Sequence, residues 1–324
     1  MVSPPKAPEN AFHSQLLTSG TTMAFSAETG MLGRSRLDQV FRLALTPGFL
    51  PGYPFPMASV DPLIASLWQG YTAINPQAEA IHRLLNDRGD SVRNDHIALR
   101  TYADPRVGIS VLADAFLEAG YTHGGNYRFT GKRLRAHHYN PPHPELPRVF
   151  ISELLIDELS AGARTSIYKL LEQIPTALPA SPNFCASGRP WAPVSRATYE
   201  ELRSESEYAA WMAAFGYRAN HFTVSVNALN SIDQLIELCN LLEAAGFDLN
   251  RSGGHPIKGS PQQGLSQAST LAAPVEVPFA DGALTIPGCY YEFAQRHPDA
   301  SGKLFGGFVT GSADKLFEST HRRG

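Results

Sequence analysis

The chain has 324 residues, 43% of them hydrophobic and 18% charged, with a net charge of −3. It can bury a large core as one big domain or two modules, and it offers no general polyanion-binding surface, which sets aside nucleic acid and anionic membranes as partners. No apolar run approaches the roughly 18 residues of a membrane span; three scattered cysteines (Cys185, Cys239 and Cys289) with no C-x-x-C pair fit a reducing, cytoplasmic setting better than a disulfide scaffold.

Residues 1–60 read as a loose tail and a Pro-rich connector. Glu9 and Glu28 and the lack of an apolar stretch argue against a secretory signal, and a transit peptide is the weaker alternative. Residues 61–324 read as one catalytic domain. Helical spacing of Ile64, Leu67, Trp68, Tyr71, Ile74, Ala78, Ile81 and Leu85 predicts a helix from Pro62 to Asn86, broken near Asn75-Pro76. A strand follows over Asn94–Tyr102. A helix is expected from Val107 to Ala119, ending at Gly120. Strands are then expected over Tyr121–Phe129, Arg133–Tyr139 and Val149–Ile156. Residues 157–217 look helical around a Pro-rich break from Pro175 to Pro193.

The pattern then returns. A strand is expected over Asn220–Asn227 and a helix over Ile232–Ala245, closing on Gly246-Phe247 as the first closes on Gly120-Tyr121. Strands are expected near Ser269–Val277 and Gly288–Ala294. The text LEAGY at 117–121 reappears as LEAAGF at 242–247, and each unit carries a histidine at the third position of its first strand stretch or next to its start, behind Asp95 or Asn220. Two βαβββ modules, at about 94–156 and 219–296, predict an α+β fold. They would form a half-open, vicinal-oxygen-chelate-like barrel with helical inserts and a C-terminal closing segment.

Such a repeat brings His96 and His221 to one cavity. Glu292, in the otherwise apolar strand text GCYYEFAQR, is either salt-bridged or the third arm of a 2-His-1-carboxylate metal site. Glu153 is read as its counterpart in the first module. With it, a closed Zn²⁺ or Ni²⁺ isomerase or lyase of the glyoxalase type stays open beside an Fe(II) oxygenase. A small-anion binding protein of the same fold is the third reading. Arg100 shares a strand face with His96 and Ala98 and suits capture of a carboxylate, or else forms a structural ion pair. Gln267, Ser269 and Thr270 could point polar groups inward. His137, His138 and His143 read as surface residues, and the loop around His255 matches no phosphate-binding motif.

Several motifs taken in order, NDHIALRTY, YRF, KRL, HHYNPP, LPRVFISELLIDELS, NHFTVSVN, QASTLA, YYEFAQR and GFVTGSADKLFEST, resemble the 2-oxoadipate dioxygenase/decarboxylase family, once labelled DUF1338, over about residues 60–320. The resemblance implies an Fe(2+) centre on His96, His221 and Glu292, with Arg100 on the substrate carboxylate. It also implies backbone contacts near Val309 and Thr310. The expected reaction takes a 2-oxo dicarboxylate, 2-oxoadipate, and O2 to D-2-hydroxyglutarate and CO2, as in lysine degradation. Oligomeric state is not legible.

Overall fold

The computed structural model describes residues 60–316 and residue 319. The tail and connector expected before residue 60 lie outside these residues.

Two helices open the described chain, α1 (Val60–Thr72) and α2 (Pro76–Asn86). Pro76 starts the second helix, where its missing N–H costs nothing. The first module is β1 (Asn94–Tyr102), α3 (Ile109–Glu118), β2 (Thr122–Phe129), β3 (Leu134–Asn140) and β4 (Arg148–Leu154). The insert holds α4 (Ala161–Leu171), α5 (Arg196–Glu205) and α6 (Glu207–Phe215). The second module is β5 (Ala219–Ser225), α7 (Leu235–Ala244), β6 (Lys258–Ser260), β7 (Leu265–Ser269), a hairpin of β8 (Pro274–Phe279) and β9 (Gly282–Pro287), and β10 (Glu292–Arg296). A short helix, α8 (Thr310–Leu316), follows.

Eight strands form one curled sheet in the order β2-β3-β4-β1-β5-β10-β7-β6. The halves mirror each other: β1 runs parallel to β4 as β5 runs parallel to β10, and β1 and β5 join them antiparallel at the centre. Both module helices end alike. Gly120 and Gly246 have φ of 88°, and the next N–H in each case reaches back to Phe116 or Leu242. That is the left-handed glycine cap, at a position where a side chain is disfavoured.

One sheet face is packed with helices. Ile97, Leu99, Phe222 and Val224 point into this layer and are essentially buried. Trp68 and Tyr71 of α1 meet Phe222 with ring centroids 5.0 and 5.1 Å away. Full burial of each large apolar side chain stabilises the fold by about 1.5–3 kcal/mol. The alternate residues of β1 and β5 face the other way, toward the concave side.

Three expected elements shift. The strand expected over Ser269–Val277 is two strands in different sheets, because the chain leaves the main sheet after Ser269 and Pro274 opens the β8–β9 hairpin. Pro274 lacks a ladder donor and sits at a strand start, where none is required. The strand expected over Gly288–Ala294 begins only at Glu292. The loop containing Lys258 supplies the short edge strand β6.

Candidate metal centre and substrate cavity

His96 on β1, His221 on β5 and Glu292 at the start of β10 converge on the concave face. In register, Thr223 is the residue between them, opposite His96 on one side and opposite Glu292 on the other. His221 lies opposite Ala98, two residues from His96, so both rings share one face. His96 Nε2 lies 3.3 Å from Glu292 Oε1, and His221 Nε2 lies 3.4 Å from Glu292 Oε2. One ligand atom from each residue falls within 4.8 Å of the other two, and all three side chains are buried.

The outer nitrogens are held. His96 Nδ1 is 2.8 Å from Asp95 Oδ1, and His221 Nδ1 is 3.2 Å from Asn220 Oδ1. Each contact fixes the tautomer that leaves an Nε2 lone pair facing the cavity. Gln267 Nε2 donates to Glu292 Oε1 at 2.6 Å. Burial disfavours protonation of both rings. At His96 the Glu292 and Asp95 carboxylates outweigh burial and raise the pKa. At His221 burial, reinforced by nearby His96 and Arg100, pushes it well below the usual histidine value. Two imidazoles and one carboxylate, compactly placed and oriented from behind, fit a divalent metal with open positions.

A pocket with about 400 Å³ of empty space, part of it open to solvent, adjoins this cluster, lined among others by Ala98, Arg100, Phe150, Ser152, Gln267, Tyr290 and Phe308. Arg100 shares this lining, with its guanidinium 4.8 Å from the Tyr208 ring centroid and 4.9 Å from that of Trp211. Those rings are three residues apart on α6 and so share one face. Burial disfavours the charged guanidinium and lowers the pKa of Arg100.

Glu153 is not the counterpart of Glu292. Glu292 pairs with Thr223, two residues beyond His221, and the residue pairing with Ala98, two beyond His96, is Phe150. Glu153 instead accepts a hydrogen bond from Ile109 N at 2.9 Å and pairs with Arg135. Gln267 lines the cavity, but Ser269 does not: its Oγ lies 2.8 Å from Ser319 Oγ. The Thr270 hydroxyl accepts from Tyr291 N and Gln77 Nε2. In the closing segment Phe308 and Leu316 reach the cavity wall, rather than Val309 and Thr310. His138, expected at the surface, is buried, with Nδ1 2.9 Å from Tyr127 Oη. Sequence reasoning passed over Tyr208, Trp211, Phe150, Phe308 and Arg296. Only the i, i+3 aromatic pair on α6 carried a local signal.

The family described as 2-oxoadipate dioxygenase/decarboxylase matches residues 59–178 and 184–304. The chloroplastic 2-oxoadipate dioxygenase/decarboxylase of Arabidopsis thaliana is 37% identical over 77% of this chain and 74% of its own length. The hydroxyglutarate synthase of Oryza sativa, solved in complex with 2-oxoadipate, is 32% identical with a TM-score of 0.73, covering 93% of this chain and 98% of that one. A Shewanella frigidimarina protein described as a candidate hydrolase is 49% identical with a TM-score of 0.74, over 78% and 98%. A protein of Ralstonia eutropha assigned to the glyoxalase superfamily is 23% identical, with a TM-score of 0.59 over 82% and 93%, and shows the shared half-barrel fold alone. No described helix is long and apolar enough to cross a membrane. By family match and by identity over most of its length, the chain belongs to the 2-oxoadipate dioxygenase/decarboxylase family.

Proposed function

We propose that this chain converts 2-oxoadipate and O2 to D-2-hydroxyglutarate and CO2 with Fe(II), as a step of lysine catabolism in the cytoplasm. The observation that carries the reading is one cavity lined by both a buried His-His-Glu cluster and a buried arginine. A 2-oxo dicarboxylate has a chelating end for the first and an anionic end for the second. His96, His221 and Glu292 would hold the metal. Fe(II), when bound, supplies Lewis acidity toward the 2-oxo acid and the one-electron chemistry that O2 requires.

The protein's part is orientation and exclusion. Arg100 receives the distal carboxylate through its planar fork, and Tyr208 and Trp211 fix the plane of that fork. Asp95 and Asn220 keep the outer nitrogens of the two histidines occupied. Gln267 holds Glu292 by one oxygen. Phe150, Phe308 and Leu316 give the cavity an apolar wall that keeps water from the reacting carbons. The overall change balances: one C–C bond breaks, CO2 leaves, and the two atoms of O2 end in the new carboxylate and the new hydroxyl.

The test is turnover of 2-oxoadipate with Fe(II) under ¹⁸O2, followed by mass spectrometry. Labelled 2-hydroxyglutarate with equimolar O2 uptake is expected. Glutarate as the sole product points instead to simple oxidative decarboxylation, and 2-hydroxyglutarate formed without O2 to chemistry that is not an oxygenase's; either result overturns the reading.

A further inference from the structure

Arg296 is the last residue of β10, is 4% exposed, and is bound on three sides. Its Nε and Nη2 donate to the two oxygens of Asp95 at 2.6 and 2.8 Å. Its Nη1 donates to the carbonyls of Phe305 and Gly307 at 2.8 and 2.9 Å. Its guanidinium carbon lies 5.4 Å from the ring centroid of Phe308. The backbone is pinned too, since Asn227 bonds both the N–H and the carbonyl of Arg296.

Each attachment leads to the site. Asp95 Oδ1 holds His96 Nδ1, and the Phe308 ring stands edge-on to the His96 ring at 4.8 Å. Phe308 N in turn donates to Tyr127 Oη at 3.1 Å, which anchors the segment to the first module. One guanidinium therefore touches the group that orients a ligand histidine and the segment that supplies a cavity wall. Asp95 has a second cation at the edge of reach, Arg148, at 4.0 Å. Arg148 makes no such bond to the closing segment among the described residues. A lysine at 296 could not serve both sides, because an ammonium lacks the fixed fork that meets a carboxylate and two carbonyls at once.

We propose that Arg296 is a positioning residue that couples metal binding at His96 to the seating of residues 305–308 over the cavity. The inference rests on the reading of His96, His221 and Glu292 as a metal site. Binding at His96 fixes the ring, the ring fixes Asp95, and Asp95 fixes Arg296 against the two carbonyls. By linkage, seating of the segment strengthens metal binding to the same extent.

The test uses the full chain with Co(II) as the probe, without turnover. Visible absorption gives Co(II) affinity, and amide hydrogen exchange reports on residues 303–310 with and without saturating Co(II). In the wild type, Co(II) should slow exchange in that segment. Arg296→Lys should weaken Co(II) binding by about 10–100-fold and abolish the slowing even at saturation. Asp95→Asn breaks the same chain of contacts from the other end, so it too should lose the slowing; it serves if Arg296→Lys fails to fold. Unchanged Co(II) affinity in Arg296→Lys, or the same slowing in either variant, overturns the proposal. If Glu292→Ala binds Co(II) as tightly as the wild type, the metal-site reading falls and takes this proposal with it; Co(II) affinity lost in Glu292→Ala but kept in Arg296→Lys overturns this proposal alone.

Discussion

The two modules share a strand order and a glycine-capped helix, yet differ at nearly every position that carries chemistry. Where the second module has Glu292, the first has Phe150; behind His96 stands Asp95, and behind His221 stands Asn220. Four residues beyond His96 comes Arg100, and four beyond His221 comes Ser225. Each half gives one histidine. The second then adds the carboxylate, while the first adds an aromatic wall, a charged support and the cation. Two mirrored frames thus make one asymmetric cavity, with the His96-His221-Glu292 cluster and Arg100 both in its lining. A symmetric pair would place two carboxylates around the metal and no cation to select a dicarboxylate. The fold supplies convergence, and on the proposed function the departures from its symmetry would supply selectivity.

The comparison breaks most sharply at Glu292. Glu292→Ala removes the single carboxylate of the cluster, and Fe(II) binding and turnover should both fall below detection. Phe150→Leu, at the mirrored position, should leave Fe(II) affinity unchanged and act on KM through a looser wall. Glu153→Gln should also keep full iron occupancy, while costing about 1–3 kcal/mol of stability because a buried acceptor shared by Ile109 N and Arg135 is weakened. Metal titration and chemical denaturation of the three variants check this. Iron lost from Glu153→Gln but kept by Glu292→Ala would invert the assignment of the two halves.

Arg100 sharpens the same contrast at the other side of the cavity. Losing a buried, charge-assisted contact to a carboxylate should cost about 2–5 kcal/mol in kcat/KM for 2-oxoadipate. Arg100→Lys should recover little of it. The same variants should act on 2-oxohexanoate, which lacks the distal carboxylate, about as the wild type does. Equal kcat/KM for the two substrates in the wild type would remove Arg100 from this role.

The half-barrel, both histidines, Glu292 and the strand face carrying Arg100 were legible because they depend on local pattern: strand alternation, a repeated helix end, and a carboxylate among aromatics. What was not legible depends on register. Counting along the chain makes Glu153 look like the partner of Glu292, but parallel pairing of β1 with β4 puts Phe150 opposite Ala98. The hairpin of β8 and β9 is an insertion that no period announces, so the reading ran one strand from β7 into it. Tyr208 and Trp211 reach Arg100 only because the whole of α6 from Tyr208 onward is buried against the sheet, a tertiary fact absent from the helix's own sequence. His138 looked exposed because it neighbours His137 and a Pro-rich loop, yet alternation along β3 turns it inward under Phe308.

That buried histidine gives the smallest test of the comparison. His138 pairs with Phe150 across β3 and β4 as Ser269 pairs with Glu292 across β7 and β10, so the mirrored positions hold a titrating group in one module only. Burial, aided by the Arg148 cation, pushes His138 down to about 4. The sign follows from the depressed value: the unfolded chain binds a proton near pH 6.5 and the folded chain does not until near pH 4. The folded state is therefore unpenalised above pH 6.5 and loses stability as pH falls from 6.5 toward 4. Between pH 7 and 5.5 the loss from this one group should be about 1 kcal/mol. His138→Gln keeps a polar partner for Tyr127 and carries no titrating proton, so denaturation midpoints of the variant should fall less steeply over that range by the same amount. Parallel slopes for wild type and variant would mean that His138 takes up its proton in the folded chain as readily as in the unfolded one, and that the wall beneath Phe308 is wet.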